Sequence, residues 1–131
     1  MIKYSESRQL QANTLVQLYI NSGVDRPITD LTRIQKMIDH SNLIISAWEG
    51  SALVGVARAV SDFGYCCYLS DLAVDQRYQR RGIGKTLIAL IQKAIGPEVS
   101  LILMSSPSSR IFYENLGFKR FTNGYISKGI L

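Results

Sequence analysis

Two glycines one residue apart, Gly82 and Gly84, stand between an apolar run and an amphipathic one. The apolar run, Leu69 to Val74, reads as a buried strand, and Ile83 to Ile95 reads as a helix. A strand, a glycine-rich turn and a helix in that order aim several backbone N–H groups and the positive end of a helix at one spot. Such a spot suits a phosphate, and glycines let the backbone approach it because no Cβ intervenes. Arg77, Arg80, Arg81 and Lys85 place a cationic collar around the same turn.

Two common phosphate motifs fail on spacing. Gly84-Lys85-Thr86 resembles the end of a Walker A loop, but that loop needs a glycine where Gln79 stands. A dinucleotide fingerprint starting at Gly82 and Gly84 would need its third glycine at Leu87. The pattern that remains is Q-x-x-G-x-G, from Gln79 through Gly82 to Gly84. It is preceded by Asp71-Leu72-Ala73-Val74 and followed by Phe112-Tyr113-Glu114-Asn115-Leu116-Gly117-Phe118. These three pieces, in this order, resemble the GNAT superfamily of acetyl-CoA-dependent N-acetyltransferases.

At 131 residues the chain has the length of one domain, 1–131. Hydrophobic residues make up 47% and charged ones 19%, enough apolar material for a core and too little charge for a disordered chain. The net charge of +5 fits an anionic ligand. A nucleic-acid binder is the rival reading. Beyond residues 77–85 the basic residues are scattered, which disfavours nucleic acid as a partner. No run is long enough to span a membrane and no N-terminal apolar stretch resembles a signal peptide, so the expected compartment is the cytoplasm. Cys66 and Cys67 are adjacent and would point to opposite faces of a strand, which excludes an ordinary disulfide. With His40 the only histidine and far away, no metal site is expected. Both cysteines are expected to pack as small apolar residues.

Taken in order, Ile2 to Glu6 reads as a short strand. Ser7 stands as an N-cap before a helical stripe of Leu10, Leu15, Leu18 and Tyr19, and Gly23 stops that helix. Thr29 or Asp30 caps a second helix with Leu31, Ile34 and Ile38 on one face, and His40 sits exposed at its end. Leu43 to Trp48, Ala52 to Val60 and Tyr65 to Val74 read as a three-stranded meander. The helix after the glycine turn buries Ile83, Leu87, Leu90, Ile91 and Ala94, and Gly96-Pro97 ends it. Val99 to Met104 reads as a strand buried on both faces. Arg110 to Leu116 is a short helix closed by Gly117. Phe118 to Phe121 and Tyr125 to Ile130 flank Asn123-Gly124 as a hairpin. The sum is an α/β (α+β) chain: a mixed, largely antiparallel twisted sheet with about four helices. The resemblance implies the same order over essentially the whole chain.

The resemblance also implies a site. Acetyl-CoA would be the co-substrate, without a metal, and a small-molecule or peptide amine the acceptor. Gln79, Arg80, Arg81, Gly82, Ile83, Gly84, Lys85 and Thr86 would form the pyrophosphate loop. Leu72, Ala73 and Val74 would pair with the pantetheine arm, with the Leu72 N–H as oxyanion donor. Tyr113 would be the general acid near the CoA sulfur, and Ser106 stands where many relatives carry an asparagine. Tyr68 occupies the position of the carboxylate base used by some relatives, and Asp71 reads as structural. The period of two sets Asp71 on the face opposite Tyr68 and Leu72 unless a bulge intervenes. The segment Asn21 to Asp30, carrying Asp25, Arg26 and Asp30, would border the acceptor together with the C-terminal hairpin. Trp48 and Tyr65 fit either core or pocket wall. A homodimer is common among similar proteins. The alternative function is a non-catalytic CoA-binding or regulatory module, for which the missing carboxylate at Tyr68 speaks.

Overall fold

The computed structural model describes residues 1–129. Five strands form one sheet in chain order: β1 (Ile2–Ser5), β2 (Leu43–Glu49), β3 (Ala52–Ser61), β4 (Cys66–Val74) and β5 (Ser100–Leu103). The first four pair antiparallel, and β4 pairs parallel with β5. That parallel step requires a crossover, which α3 (Ile83–Ile95) supplies. Helices α1 (Ala12–Ser22) and α2 (Leu31–Asp39) precede the meander, and α4 (Arg110–Asn115) follows β5. The mixed, largely antiparallel sheet and its four helices agree with the sequence expectation.

Alternation along the strands builds two cores, one on each face of the sheet. Leu43, Ile45, Ala57, Cys67 and Leu69 pack against Ile83, Leu87, Ile88 and Ile91 of α3. On the other face Trp48, Leu53, Val56 and Ala73 pack against Leu15, Leu18 and Tyr19 of α1 and Ile34 of α2. Trp48 is therefore core, with its Nε1 donating to Ser46 Oγ at 2.7 Å and the Arg8 guanidinium 3.6 Å from its ring centroid. Tyr65 is exposed at a hairpin end.

Between β3 and β4 the register slips. Arg58 pairs with Asp71 and Ala59 with Leu69, so Ser70 has no partner and forms a β-bulge. The extra residue inverts the alternation. Cys67 and Leu69 face α3 before the bulge, and Leu72 and Val74 face it afterwards. Asp71 therefore shares the α1 face with Tyr68, and Leu72 lies on the opposite one. The plain period of two is overturned here, through the bulge the sequence left open as an exception.

Asp71 is 1% exposed and carries a dense set of partners. Arg58 Nε donates to its Oδ2 at 2.6 Å and Arg26 Nε to its Oδ1 at 2.6 Å. The Tyr19 hydroxyl donates to Oδ2 as well. Burial by itself raises the Asp71 carboxyl, but the Arg58 hydrogen bond and charge, then Tyr19 and Arg26, hold it below the ordinary carboxylate range. Burial and the neighbouring carboxylate push the Tyr19 phenol well up.

Several local expectations change. Ser7 is not a cap. The Ser5 hydroxyl accepts from the N–H groups of Ser7 and Arg8, at 3.3 and 2.9 Å, which satisfies those amides in a turn and delays the helix to Ala12. Asp30 does cap α2, accepting from Arg33 N at 3.0 Å. Leu31 is exposed and Ile34 alone is fully buried on that helix. On α3, Leu90 and Ala94 are only partly buried, while Ile88 and Ile95 join the core. Cys66 is exposed and only Cys67 is buried, both as free thiols. His40 is exposed.

The largest corrections concern the C-terminus. The hairpin expected around Asn123-Gly124 does not form among the described residues; 118–129 carry no strand, and Ile130 lies outside them. A two-stranded ribbon without further partners is marginal in water. β5 is a half-buried edge strand, not one covered on both faces: among the described residues only β4 pairs with it, and Leu101, Ile102 and Leu103 stay partly exposed. Beside it an open groove of 600 Å³ runs past Ile95, Val99, Leu101, Leu116 and Phe118.

Replacing Asp71 by Asn is expected to cost about 3–5 kcal/mol at neutral pH, since two guanidinium groups lose a buried counter-charge. A carboxyl held low in the fold stabilises above its unfolded pKa and loses that contribution as pH falls through the folded value. The gap between wild type and Asp71→Asn should therefore close below about pH 4. Urea titrations at stepped pH measure it; a gap constant down to pH 2 would contradict the ion network.

Candidate active site

The candidate site forms where β4 leaves β5. Pairing of the two strands stops at Leu69 with Leu103, one residue before the bulge. From Asp71 to Val74, β4 pairs only with β3 among the described residues, and its other edge opens on a gap. The direction of each amide follows from one bond. Asp75 N–H donates to Val54 O at 2.9 Å, so it faces β3. Antiparallel ladders alternate, so the N–H groups of Ala73 and Asp71 face β3 too, and those of Leu72 and Val74 face the gap. Val74 O points the same way and accepts from Gln79 Nε2 at 2.9 Å.

Across the gap stands the start of α3. Gly82, the residue before the helix, has a φ of 80°, a left-handed conformation that glycine adopts without strain. It carries no capping side chain, and the first helical bond is Thr86 N–H to Gly82 O at 3.0 Å. The N–H groups of Ile83, Gly84 and Lys85 have no partner among the described residues. Three unpaired donors at the positive end of a helix form an anion cradle. Gly84 brings the elements together: a Cβ there would lie 3.2 Å from Phe112 Cζ and 3.9 Å from Leu72 Cδ2. Leu72 of β4, Gly84 of α3 and Phe112 of α4 thus meet at one point.

The collar of cations divides. Arg77 is tied to Asp75 through Nη2 at 2.8 Å and Nε at 3.2 Å, with its side chain otherwise exposed. The Arg81 guanidinium lies 5.1 Å from the Tyr78 ring centroid, and the Tyr78 hydroxyl donates to Glu49 Oε1 at 2.6 Å. Arg80 adopts a φ of 65°, rare for a residue with a side chain. Of the other loop residues, Ile83 is buried in the α3 core and offers only its backbone, Gln79 spends its amide on Val74 O, Lys85 is exposed and Thr86 half-buried.

Tyr113 sits on α4 with its ring in edge-on contact with Phe112 at 5.1 Å and Phe118 at 5.6 Å. Burial pushes its phenol up to about 12. Gly117, with a φ of 91°, closes α4 and lets Phe118 N–H return to Tyr113 O at 3.1 Å. Ser106 is exposed, its hydroxyl 3.2 and 3.0 Å from those of Ser108 and Ser109.

The sequence missed Ser70 and Arg58 as parts of this region. A signal existed for one of them. Arg58 is the single charge inside the apolar run Ala52 to Val60, and a buried charge needs a counter-charge, which the neighbouring strand offers only at Asp71. Arg26 and Asp30, read as charges facing an acceptor, instead pair with Asp71 and cap α2. The open groove of 600 Å³ lies at the far end of α3 from these groups, beside the uncovered β5 edge. Among the described residues no cluster of three His, Cys, Asp or Glu side chains could hold a metal, and no helix is long and apolar enough to cross a membrane.

Comparison with known proteins agrees with the geometry. The acetyltransferase (GNAT) domain family matches residues 12–131. The uncharacterized N-acetyltransferase ycf52 of Pyropia yezoensis is 34% identical over 130 residues, covering 94% of this chain and 73% of that protein. A probable acetyltransferase of unknown function from meticillin-resistant Staphylococcus aureus superposes with a TM-score of 0.84 at 20% identity, over 100% of this chain and 99% of the other. An aminoglycoside N-acetyltransferase solved in complex with CoA superposes at 0.73 with 18% identity, over 98% of this chain and 95% of the other. The chain belongs to the GNAT family of N-acetyltransferases and is an acyltransferase.

The strained Arg80 gives a direct test of the loop. Arg80→Gly relieves a left-handed backbone and is expected to leave stability unchanged or raise it by up to about 1 kcal/mol. Binding of inorganic pyrophosphate should weaken at the same time, as a cation is lost. Thermal melts and calorimetric titration read the two effects; a clear loss of stability would show that the side chain itself supports the fold.

Proposed function

We propose that this protein moves an acetyl group from acetyl-CoA directly to a primary amine of a small molecule or peptide. The observation that carries this reading is the gap between β4 and β5, with the Leu72 N–H facing it on one side and three unpaired N–H groups of α3 on the other. The donor set fits a diphosphate, and CoA is bound by a protein of the same fold. Acetyl-CoA supplies the activated thioester. The backbone of Gly82 to Lys85 holds the diphosphate, with Arg80, Arg81 and Lys85 as the surrounding charge. The free edge from Leu72 to Val74 pairs with the extended arm, and Leu72 N–H donates to the carbonyl oxygen as it gains charge. Tyr113 remains a neutral phenol throughout the physiological range and donates its O–H to the departing sulfur.

No side chain of β4 supplies a base. Asp71, the only carboxylate on that strand, is locked between two guanidinium groups, and Tyr68 holds the position of the base in some relatives. The amine therefore attacks from its own neutral fraction or through water. The same feature favours one second reading, a CoA-binding module without turnover. Thiol release from acetyl-CoA across a panel of amines separates them: CoA binding with no release for any amine selects the module.

Tyr113→Phe is expected to slow turnover by about tenfold or more while CoA affinity changes less than about twofold. Because the acid form persists up to about pH 12, wild-type turnover should rise with deprotonation of the amine, with no descending limb from Tyr113 below that value. Equal turnover in the two proteins would remove Tyr113 from the acid role.

A further inference from the structure

The bulge that opens the gap is itself held by an unusual arrangement. Ser70 has no partner across the ladder, yet both of its polar acceptors are bound. Arg26 Nη2 donates to Ser70 O at 2.7 Å, and Arg58 Nη2 donates to Ser70 Oγ at 2.8 Å. The same two guanidinium groups bind the two carboxylate oxygens of Asp71, the next residue, at 2.6 Å each. Two consecutive residues of β4 are thus gripped by both guanidinium groups, and the residue that follows is Leu72.

Neutralising a buried carboxylate does not require this geometry. One guanidinium and the Tyr19 hydroxyl would give Asp71 adequate partners. The bonds to Ser70 are additional, and they need the planar fork of arginine, which can direct parallel N–H groups at a carboxylate and a neighbouring oxygen. Arg26 also comes from the segment between α1 and α2, and its Nη1 donates to Asp25 O at 2.6 Å. Its side chain is 28% exposed, so it links a surface segment to the interior of the sheet.

We infer that Arg26 and Arg58 are positioning residues for acyl transfer: they pin the Ser70 bulge and so fix the direction in which Leu72 presents its N–H to the gap. Neither touches the reacting groups. They act through the backbone of Ser70 and Asp71, and Arg26 couples the α1–α2 segment to that backbone. This inference rests on the acetyltransferase reading above for its kinetic consequence, and on the hydrogen bonds alone for its structural one.

Arg26→Lys is the informative variant. Lysine keeps a charge beside Asp71, but its single ammonium cannot reproduce the fork to Asp71 and Ser70 together. Tyr19→Phe is the control, since it removes a bond to Asp71 and leaves both arginine bonds to Ser70 in place. Turnover is read as thiol release from acetyl-CoA with the best amine of the panel. Arg26→Lys should lower kcat by about tenfold or more, with CoA affinity within about threefold of wild type. Tyr19→Phe should lower the melting temperature and keep kcat within about twofold. The amide cross-peak of Leu72 in a ¹⁵N correlation spectrum should move in Arg26→Lys and stay in Tyr19→Phe. That last readout needs no turnover. A wild type that releases no thiol, with the Leu72 shift seen only in Arg26→Lys, would sink the acetyltransferase reading and keep the clamp. An unmoved Leu72 peak in Arg26→Lys, or turnover that tracks melting temperature equally in both variants, would overturn the clamp.

Discussion

A carboxylate with almost no contact with water sits at the centre of this molecule. Asp71 survives as an anion only because Arg58 and Arg26 face its two oxygens and Tyr19 donates to one of them. Isolated in an apolar interior it would protonate or unfold the sheet around it. The partners come from α1, the α1–α2 segment and β3. One charge therefore ties the helical layer to the sheet at the place where the sheet changes register. The two faces of β4 exchange at that place, so the packing of Leu72 and Val74 on α3 depends on it as well.

The gap follows from the same irregularity. A regular β4 would continue its pairing with β5 and would present no free amides. Because the ladder slips at Ser70 and pairing with β5 ends at Leu69, the second half of β4 keeps one edge unused. The start of α3 faces that edge with donors that no side chain satisfies. Unpaired backbone groups are costly when buried and useful when a ligand meets them. Strain at Arg80 is found in the same turn, where a left-handed backbone has no glycine to relieve it.

Much of this was legible in the chain. The apolar meander, the glycine turn and the amphipathic helix each announce themselves through local spacing, and each formed close to its expected bounds. The stripe of Leu15, Leu18 and Tyr19 was visible although its cap was misplaced, because burial depends on periodicity and the start of a helix depends on a few hydrogen bonds around Ser5. The C-terminal hairpin was misread for a different reason. Asn-Gly favours a turn, but a strand needs a neighbour, and 118–129 find none in the structure.

The sequence alone determined the order of the elements from β1 to α4, the glycines at the start of α3 and the resemblance to a family of acyltransferases. These depend on spacing and on residue type, which are properties of a short window. Only the tertiary structure decided that Ser70 bulges, that Asp71 turns to the face of Tyr68, and that Arg26 pairs with Asp71 and Arg77 with Asp75. Those outcomes depend on pairing between segments 13 to 52 residues apart for Asp71, where one slipped residue reverses which side of a strand each side chain occupies.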